Sequence, residues 1–276
     1  MMGAADERWS RLEGVVDRDT LSLKHALVVG LGSGGSTVAL ELAKAGVGRF
    51  TLIDPDHIEL TNLIRHECDD RYMGWNKAEA VADLMRRRNP EVAIEICPSD
   101  AFDLGKRLEE MVASVDLVAA CTDGESAKNL LNRLTTKASI PAVYGGVYER
   151  ASGGEVIRCF GGADDACYAC VTSVLKDEIP APDPGELDYG LVGSDTTVTD
   201  APGLGLDVRL VALIHAKICL LTLMGAEEPS GNVVLFGTTR VDGLFPAPFA
   251  SALLQISPQE GCLVCRPIRE FAEQGI

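Results

Sequence analysis

Four side chains in the first half of the chain, Asn62, Arg65, Lys77 and Asp123, have types suited to chemistry at phosphate. Arg65 and Lys77 can offset the charge of a polyphosphate and Asp123 can hold Mg²⁺. Adenylyl transfer from ATP to a carboxylate needs both, because negative charge moves onto phosphate oxygens in the transition state. Singly, each is an ordinary solvated residue; as a set they exceed what a nicotinamide dehydrogenase requires. A second set is made of sulfur. Four of the nine cysteines form two Cys-x-x-Cys pairs, Cys167/Cys170 and Cys262/Cys265, the ligand complement of a closed tetrahedral zinc site. A redox Cys-x-x-Cys is the alternative, but that motif normally occurs once and opens a helix after the first strand of its fold. With all four positions filled, such a zinc would be structural.

The elements that must position the first set begin at residue 26. An apolar run over 26–29 is broken by Gly30, Gly32, Gly34 and Gly35, and residues 37–45 have helix-forming character. Another apolar run, 49–53, ends at Asp54, about twenty residues past the glycines, as in a nucleotide-binding βαβ unit. Gly30, Gly32 and Gly35 would let the backbone approach a phosphate at the positive end of a helix. Asp54 would accept hydrogen bonds from a ribose, a role that fits ATP and NAD equally, or would serve as a turn residue. The connection over 55–75 is too long for a simple turn, and Asn76 is placed to cap a helix over 77–88 that stops at Asn89-Pro90. A strand over 92–97, a helix over 104–112 and a buried strand over 115–120 follow. Asp123 then falls just past a strand's carboxyl end, where open α/β sheets keep their ligands. A helix over 125–138 and a strand over 140–144 complete a Rossmann-like, doubly wound, mostly parallel sheet.

Beyond residue 146 the pattern changes. Residues 147–160 read as an antiparallel hairpin, 176–202 as a mobile crossover loop rich in Pro, Asp and Gly, and 204–223 as an apolar helix. Antiparallel strands are expected over 233–240 and 244–256. The whole of 1–276 is therefore expected to be one domain, with an N-terminal arm (1–24), a nucleotide-binding core (25–146) and a tail (147–276) that carries the zinc and frames an acceptor groove. The formal charge of −16 disfavours nucleic acid. The acidic start lacks the features of a signal peptide and no run is long enough to span a bilayer, so a cytoplasmic location is expected. Of the remaining cysteines, Cys97, Cys121, Cys159 and Cys219 read as buried, and Cys68, in the long loop, is the one thiol candidate. His25 and His215 read as core residues.

Gly30-Leu-Gly-Ser-Gly-Gly35, Ala45-Gly-Val-Gly followed by Asp54-Pro-Asp, Leu60-Thr-Asn-Leu-Ile-Arg-His66, Lys77 after Gly-Trp-Asn, Cys121-Thr-Asp-Gly124 and the two cysteine pairs together resemble the MoeB/ThiF/HesA family, bacterial relatives of ubiquitin-activating enzymes. The resemblance covers nearly the whole chain. It implies an adenylyltransferase that forms an acyl-adenylate at the C-terminal glycine of a ubiquitin-like or sulfur-carrier protein and releases pyrophosphate. Asp54 would then hold the ribose, Asn62, Arg65 and Lys77 the phosphates, and Asp123 the Mg²⁺. Arg8-Trp-Ser-Arg11 matches a family stretch whose second arginine reaches into the partner subunit's ATP site, which makes Arg11 a finger in trans and the active unit a homodimer. No cysteine lies between Cys170 and Cys219, where some members form a thioester or persulfide. The same fold could instead adenylate a peptide or a modified nucleoside, serve as a non-catalytic nucleotide-binding scaffold, or bind NAD.

Overall fold

The computed structural model describes residues 4–162, 164–178, 202–226 and 230–267. Two short helices, α1 (Ala4–Trp9) and α2 (Arg18–Leu23), lead into β1 (His25–Val29). There follow α3 (Ser33–Ala45), β2 (Arg49–Ile53), α4 (Lys77–Arg88), β3 (Ala93–Cys97), α5 (Lys106–Ala113), β4 (Leu117–Ala120), α6 (Glu125–Ala138) and β5 (Ala142–Val147). The rest comprises β6 (Gly153–Cys159), α7 (Tyr168–Glu178), α8 (Gly205–Leu223), β7 (Val233–Gly237) and β8 (Ser251–Leu254).

All eight strands form one sheet in the order β3-β2-β1-β4-β5-β6-β7-β8. The first five are parallel, and β6 to β8 are antiparallel. Parallel strands covered on both faces need apolar side chains at consecutive positions. In β1, Ala26 and Val28 point to one core, with α3, α4 and α8, while Leu27 and Val29 point to the other, with α5, α6 and α7. Since β1 and β4 are neighbours whose following helices lie on opposite faces, a crevice opens between their carboxyl ends, the switch point where such sheets bind ligands.

Several expectations shift. Helix α3 starts at Ser33, so Gly34 and Gly35 lie in its first turn and Gly32 is its N-cap. The arm contains a second helix, α2, capped by the Asp17 carboxylate accepting from Thr20 N. The hairpin expected over 147–160 has its first arm earlier, because β5 runs through Gly145 and Gly146 and itself pairs with β6. Helix α7 occupies the first three residues of the expected 176–202 loop; residues 179–201 lie outside the described residues.

Candidate nucleotide crevice and four-cysteine site

The glycine turn is shaped by close packing as well as by any ligand. Gly30 has φ +88°, and a β-carbon there would lie 2.8 Å from Cys121 O. A β-carbon on Gly35 would run into Gly30 O, whereas one on Gly32 would meet nothing. Asp54, buried at the end of β2, ties this turn down: its carboxylate accepts from Leu31 N at 2.5 Å and from Asp56 N at 2.9 Å. Burial pushes its pKa up, against the hydrogen bonds that lower it. Asn76 caps α4 by accepting from Ala78 N, and its Nδ2 donates to Asp54 O and Asp56 O at 2.9 Å. Lys77, the first residue of α4, is thereby fixed beside the turn, its Nζ 2.8 Å from Asp56 Oδ2.

The loop over 55–75 is ordered by short helical turns. Asn62 Oδ1 accepts from Glu59 N at 2.9 Å. His66, buried, donates from Nε2 to Leu31 O at 2.7 Å, so its Nδ1 is the lone pair that accepts from Cys68 N at 3.0 Å. It therefore clips the loop onto the glycine turn. Burial lowers the His66 pKa, the amide contacts notwithstanding. Cys68, the one thiol candidate, is buried under this clip, and burial together with nearby carboxylates pushes its pKa up to about 12, which disfavours the thiolate.

These elements enclose a crevice of about 900 Å³ at the switch point. Gly30, Gly32, Asp54, Asn62, Arg65, Lys77 and Asp123 all line it, as does Gly34. Gly35 does not line it and supports the turn from behind. Arg11, exposed in a short helical turn over Ser10–Leu12, is not part of its own chain's crevice. The arm that carries it packs against the C-terminal ends of α3 and α4, away from that crevice: Arg8 Nη1 donates to Arg88 O at 3.2 Å, and Trp9, stacked under Arg18, lies beside Gly46.

Three crevice residues were not singled out by their sequence context. The buried Thr122 Oγ1, next to Asp123, has no hydrogen-bond partner among the described residues, an uncommon state for a buried hydroxyl. His215, from α8, donates from Nε2 to Val143 O at 3.1 Å and turns Nδ1 towards Cys121 Sγ at 3.9 Å. Burial drives its pKa down to about 4. Cys121 is likewise driven up to about 12 by burial, so the pair is neutral packing rather than an activated thiolate. Lys128 is the third, a lysine with only 5% of its side chain exposed. The far wall is made by Gly145, Gly146, Tyr148 and Glu155, with Tyr148 donating to Glu155 Oε2 at 2.8 Å.

On the opposite face of the sheet the four cysteines meet. Their sulfurs all lie within 4.8 Å of one another, with Cys167–Cys262 at 3.6 Å and Cys170–Cys265 at 3.4 Å. A tetrahedron of thiolates about 2.3 Å from zinc has edges of about 3.8 Å, so the cluster fits that ion. Two N–H groups point at the sulfurs, Asn132 Nδ2 to Cys167 at 3.6 Å and Gln259 N to Cys170 at 3.3 Å, as donors to thiolate ligands do. Cys167 does stand at the start of a helix, but convergence of the second pair separates this site from a lone redox motif.

A family model described as the ThiF family matches residues 6–252. The chain is 28% identical over 250 residues to the molybdopterin-synthase adenylyltransferase of Escherichia coli, covering 90% of this chain and 89% of that protein. It is 33% identical over 214 residues to the SAMP-activating enzyme E1 of Haloferax volcanii, covering 77% and 72%. Among solved structures, E. coli MccB with ATP superposes at a TM-score of 0.70 with 20% identity, over 96% of this chain and 76% of that one, a likeness of fold. Among the described residues no helix is long and apolar enough to cross a membrane.

Proposed function

The chain belongs to the ThiF family, and from that premise we propose how this adenylyltransferase works on a ubiquitin-like or sulfur-carrier protein. The carrier's C-terminal glycine carboxylate attacks the α-phosphorus of ATP, the bond from that phosphorus to the bridging oxygen breaks, and pyrophosphate leaves. The observation that carries this reading is convergence: the glycine turn, Asp54, Asn62, Arg65, Lys77 and Asp123, drawn from four separate segments, line one crevice at the switch point.

In this reading Gly30 and Gly32 admit the phosphates to the N-terminus of α3, and Gly35 keeps the turn closed beneath them. Asp54 has its lone pairs partly engaged by Leu31 and Asp56 and offers the remainder to the ribose. Asn62, Arg65 and Lys77 meet the polyphosphate, and Asp123, exposed at the mouth, would hold Mg²⁺, which draws charge off the phosphate oxygens. Gly145 and Gly146 let His215 and Glu155 close against β5 on the far wall, along which an extended tail ending in glycine would lie. The four cysteines would hold a structural Zn²⁺ that joins α7 to the segment after β8.

Arg11 acts on the crevice of a second copy, so the working unit is a homodimer. Two features support that arrangement: Arg11 stands outside its own crevice, and Leu60, Ile64, Leu204 and Leu206 are exposed together beside Arg65, where Gly205 abuts Ile64 O. The whole chain acts as one adenylation unit in the cytoplasm, with neither nucleic acid nor membrane as a partner.

The test is ATP–pyrophosphate exchange stimulated by a purified small β-grasp protein ending in glycine. Exchange is expected to disappear when that glycine is deleted. Asp123→Ala should lower exchange by about 10²- to 10³-fold with the cysteine site intact. Exchange that persists in Asp123→Ala refutes the Mg²⁺ role. An Arg11→Ala chain mixed with an Asp123→Ala chain should regain part of the activity, and verified heterodimers without rescue refute the role in trans.

A further inference from the structure

Lys128 poses an electrostatic question. Burying an ammonium is costly unless it is well paired, yet its only ion pair among the described residues is a loose one, 3.9 Å from Glu125 Oε1. It lies on the crevice wall, one helical turn beyond Asp123, and its charge reaches Cys121 and His215 on the floor. A buried, loosely paired cation in a nucleotide-sized crevice is arranged for an anion that arrives later.

What holds Glu125 comes from α7, which packs beside α6 on the same face of the sheet. Its Oε1, the atom that faces Lys128, accepts from Tyr168 Oη at 2.9 Å. Tyr168 is the residue that follows the first cysteine of the first pair, and it has little freedom. Its ring stacks on Tyr144 with centroids 4.4 Å apart, and its N–H donates at 3.0 Å to Asn132 Oδ1. The other end of the Asn132 amide donates to Cys167 Sγ. The cysteine knot is thus connected by Tyr168 and Glu125 to a charge in the crevice.

We propose that Lys128 is an additional cation for the ATP polyphosphate and that Tyr168, acting through Glu125, is its positioning residue. The inference rests on the ATP-site reading above. It assigns the four-cysteine site a second consequence besides stability: it sets the reach of a charge one turn away along the same face of α6. Removing the tyrosine hydroxyl leaves Glu125 free to swing to solvent, and Lys128 loses its fixed place.

Calorimetric titration of Mg-ATP, ADP and AMP into the full-length protein tests this without a carrier. Lys128→Met should weaken ATP at least about tenfold, the scale of one charge-assisted hydrogen bond, leave AMP nearly unchanged, and be largely rescued by Lys128→Arg. Tyr168→Phe and Glu125→Gln should each weaken ATP about three- to tenfold with zinc content unchanged. In a Lys128→Met background neither should weaken it further, since coupled residues fail to add. Wild-type-like ATP binding by Lys128→Met, or an undiminished Tyr168→Phe effect in its background, overturns the proposal. If Tyr168→Phe loses metal, the same comparison made with Glu125→Gln, which touches no cysteine, decides the outcome. A wild-type protein that binds no ATP overturns the crevice reading as well, whereas a wild type that binds equally with all variants overturns this inference alone.

Discussion

The half of the sheet around β1 and β2 closes its crevice with contacts between residues near in sequence, while the half from β5 onward is tied by sulfurs far apart in the chain. Leu31 meets Asp54 across 23 positions and Asn76 meets Asp54 across 22. Cys167 and Cys262 meet across 95. The first arrangement assembles the glycine turn, Asp54, Asn62, Arg65 and Lys77 from one βαβ unit and its loop, and β4 and its turn add Asp123 across the crevice. The second must close a long loop, with an entropy cost that rises with loop length and that ligand bonds to one zinc ion would offset. The residues proposed to meet ATP accordingly sit mostly in the half that forms locally, and the wall proposed for the acceptor depends on the half that the cysteines would clamp.

The strongest way to break that contrast is to remove the clamp. A structural zinc of this kind contributes about 10 kcal/mol or more to folding, more than many domains have in total. Chelation, or Cys262→Ser, should expose the amides of β6 to β8 and α7 to hydrogen exchange while those of β1 and β2 stay protected. Uniform loss of protection across all eight strands would show that the halves fold as one unit and that the contrast is only topological.

Acid should act on both halves, through one histidine in each. His215 seals α8 to β5, and burial lowers its pKa to about 4 from an ordinary 6.5. The unfolded chain therefore takes up the proton first as pH falls. Stability from this group is fully present above about pH 6.5 and is lost progressively down to about pH 4. Two and a half units amount to about 3 kcal/mol. His66, which clips the loop to the glycine turn, is shifted in the same direction. Urea unfolding at pH 7 and pH 4.5 should show a drop that shrinks by roughly that amount in His215→Gln. An unchanged drop in that variant would locate the acid sensitivity elsewhere.

The same division explains what could be read in the amino-acid sequence. Strand β2 at 49–53 and helix α6 at 125–138 have the expected bounds, because apolar runs and a βα alternation with polar loops are local signals. Helix α3 starts four residues before its expected position since Gly34 and Gly35 have poor helix propensity, yet close packing against Gly30 and Cys121 selects them there. Helix α7 was not expected: Tyr168, Val171 and Leu175 form its apolar stripe, but the stretch drew notice only for its cysteine pair. Lys77 and Asp123 could be picked out because one follows a helix cap and the other a strand end, and Asn62 and Arg65 because they lie in a long polar loop after β2. Lys128, Thr122 and His215 were not, because their importance comes from burial against segments distant in sequence. A lysine on a polar helix otherwise looks like surface.

The smallest expected effect separates packing from ligand contact within the glycine turn itself. Gly35→Ala forces a β-carbon into Gly30 O and Cys121, so it should destabilise the fold whether or not nucleotide is present. Gly32 is different. Its φ of −67° and ψ of −160° are accessible to other residues, and nothing lies within 4 Å of a β-carbon there. Gly32→Ala should therefore leave stability within about 1 kcal/mol of wild type, the range of ordinary surface changes. The added methyl would project into the crevice, where the reading of the site puts phosphate close to the backbone. A loss of about tenfold in Mg-ATP affinity, about 1.4 kcal/mol, is expected without loss of stability. Melting curves with and without Mg-ATP measure both quantities on one sample. An alanine at 32 that binds ATP as well as glycine does would show that phosphate keeps away from this backbone, and the turn's glycines would then be explained by packing at Gly30 and Gly35 alone.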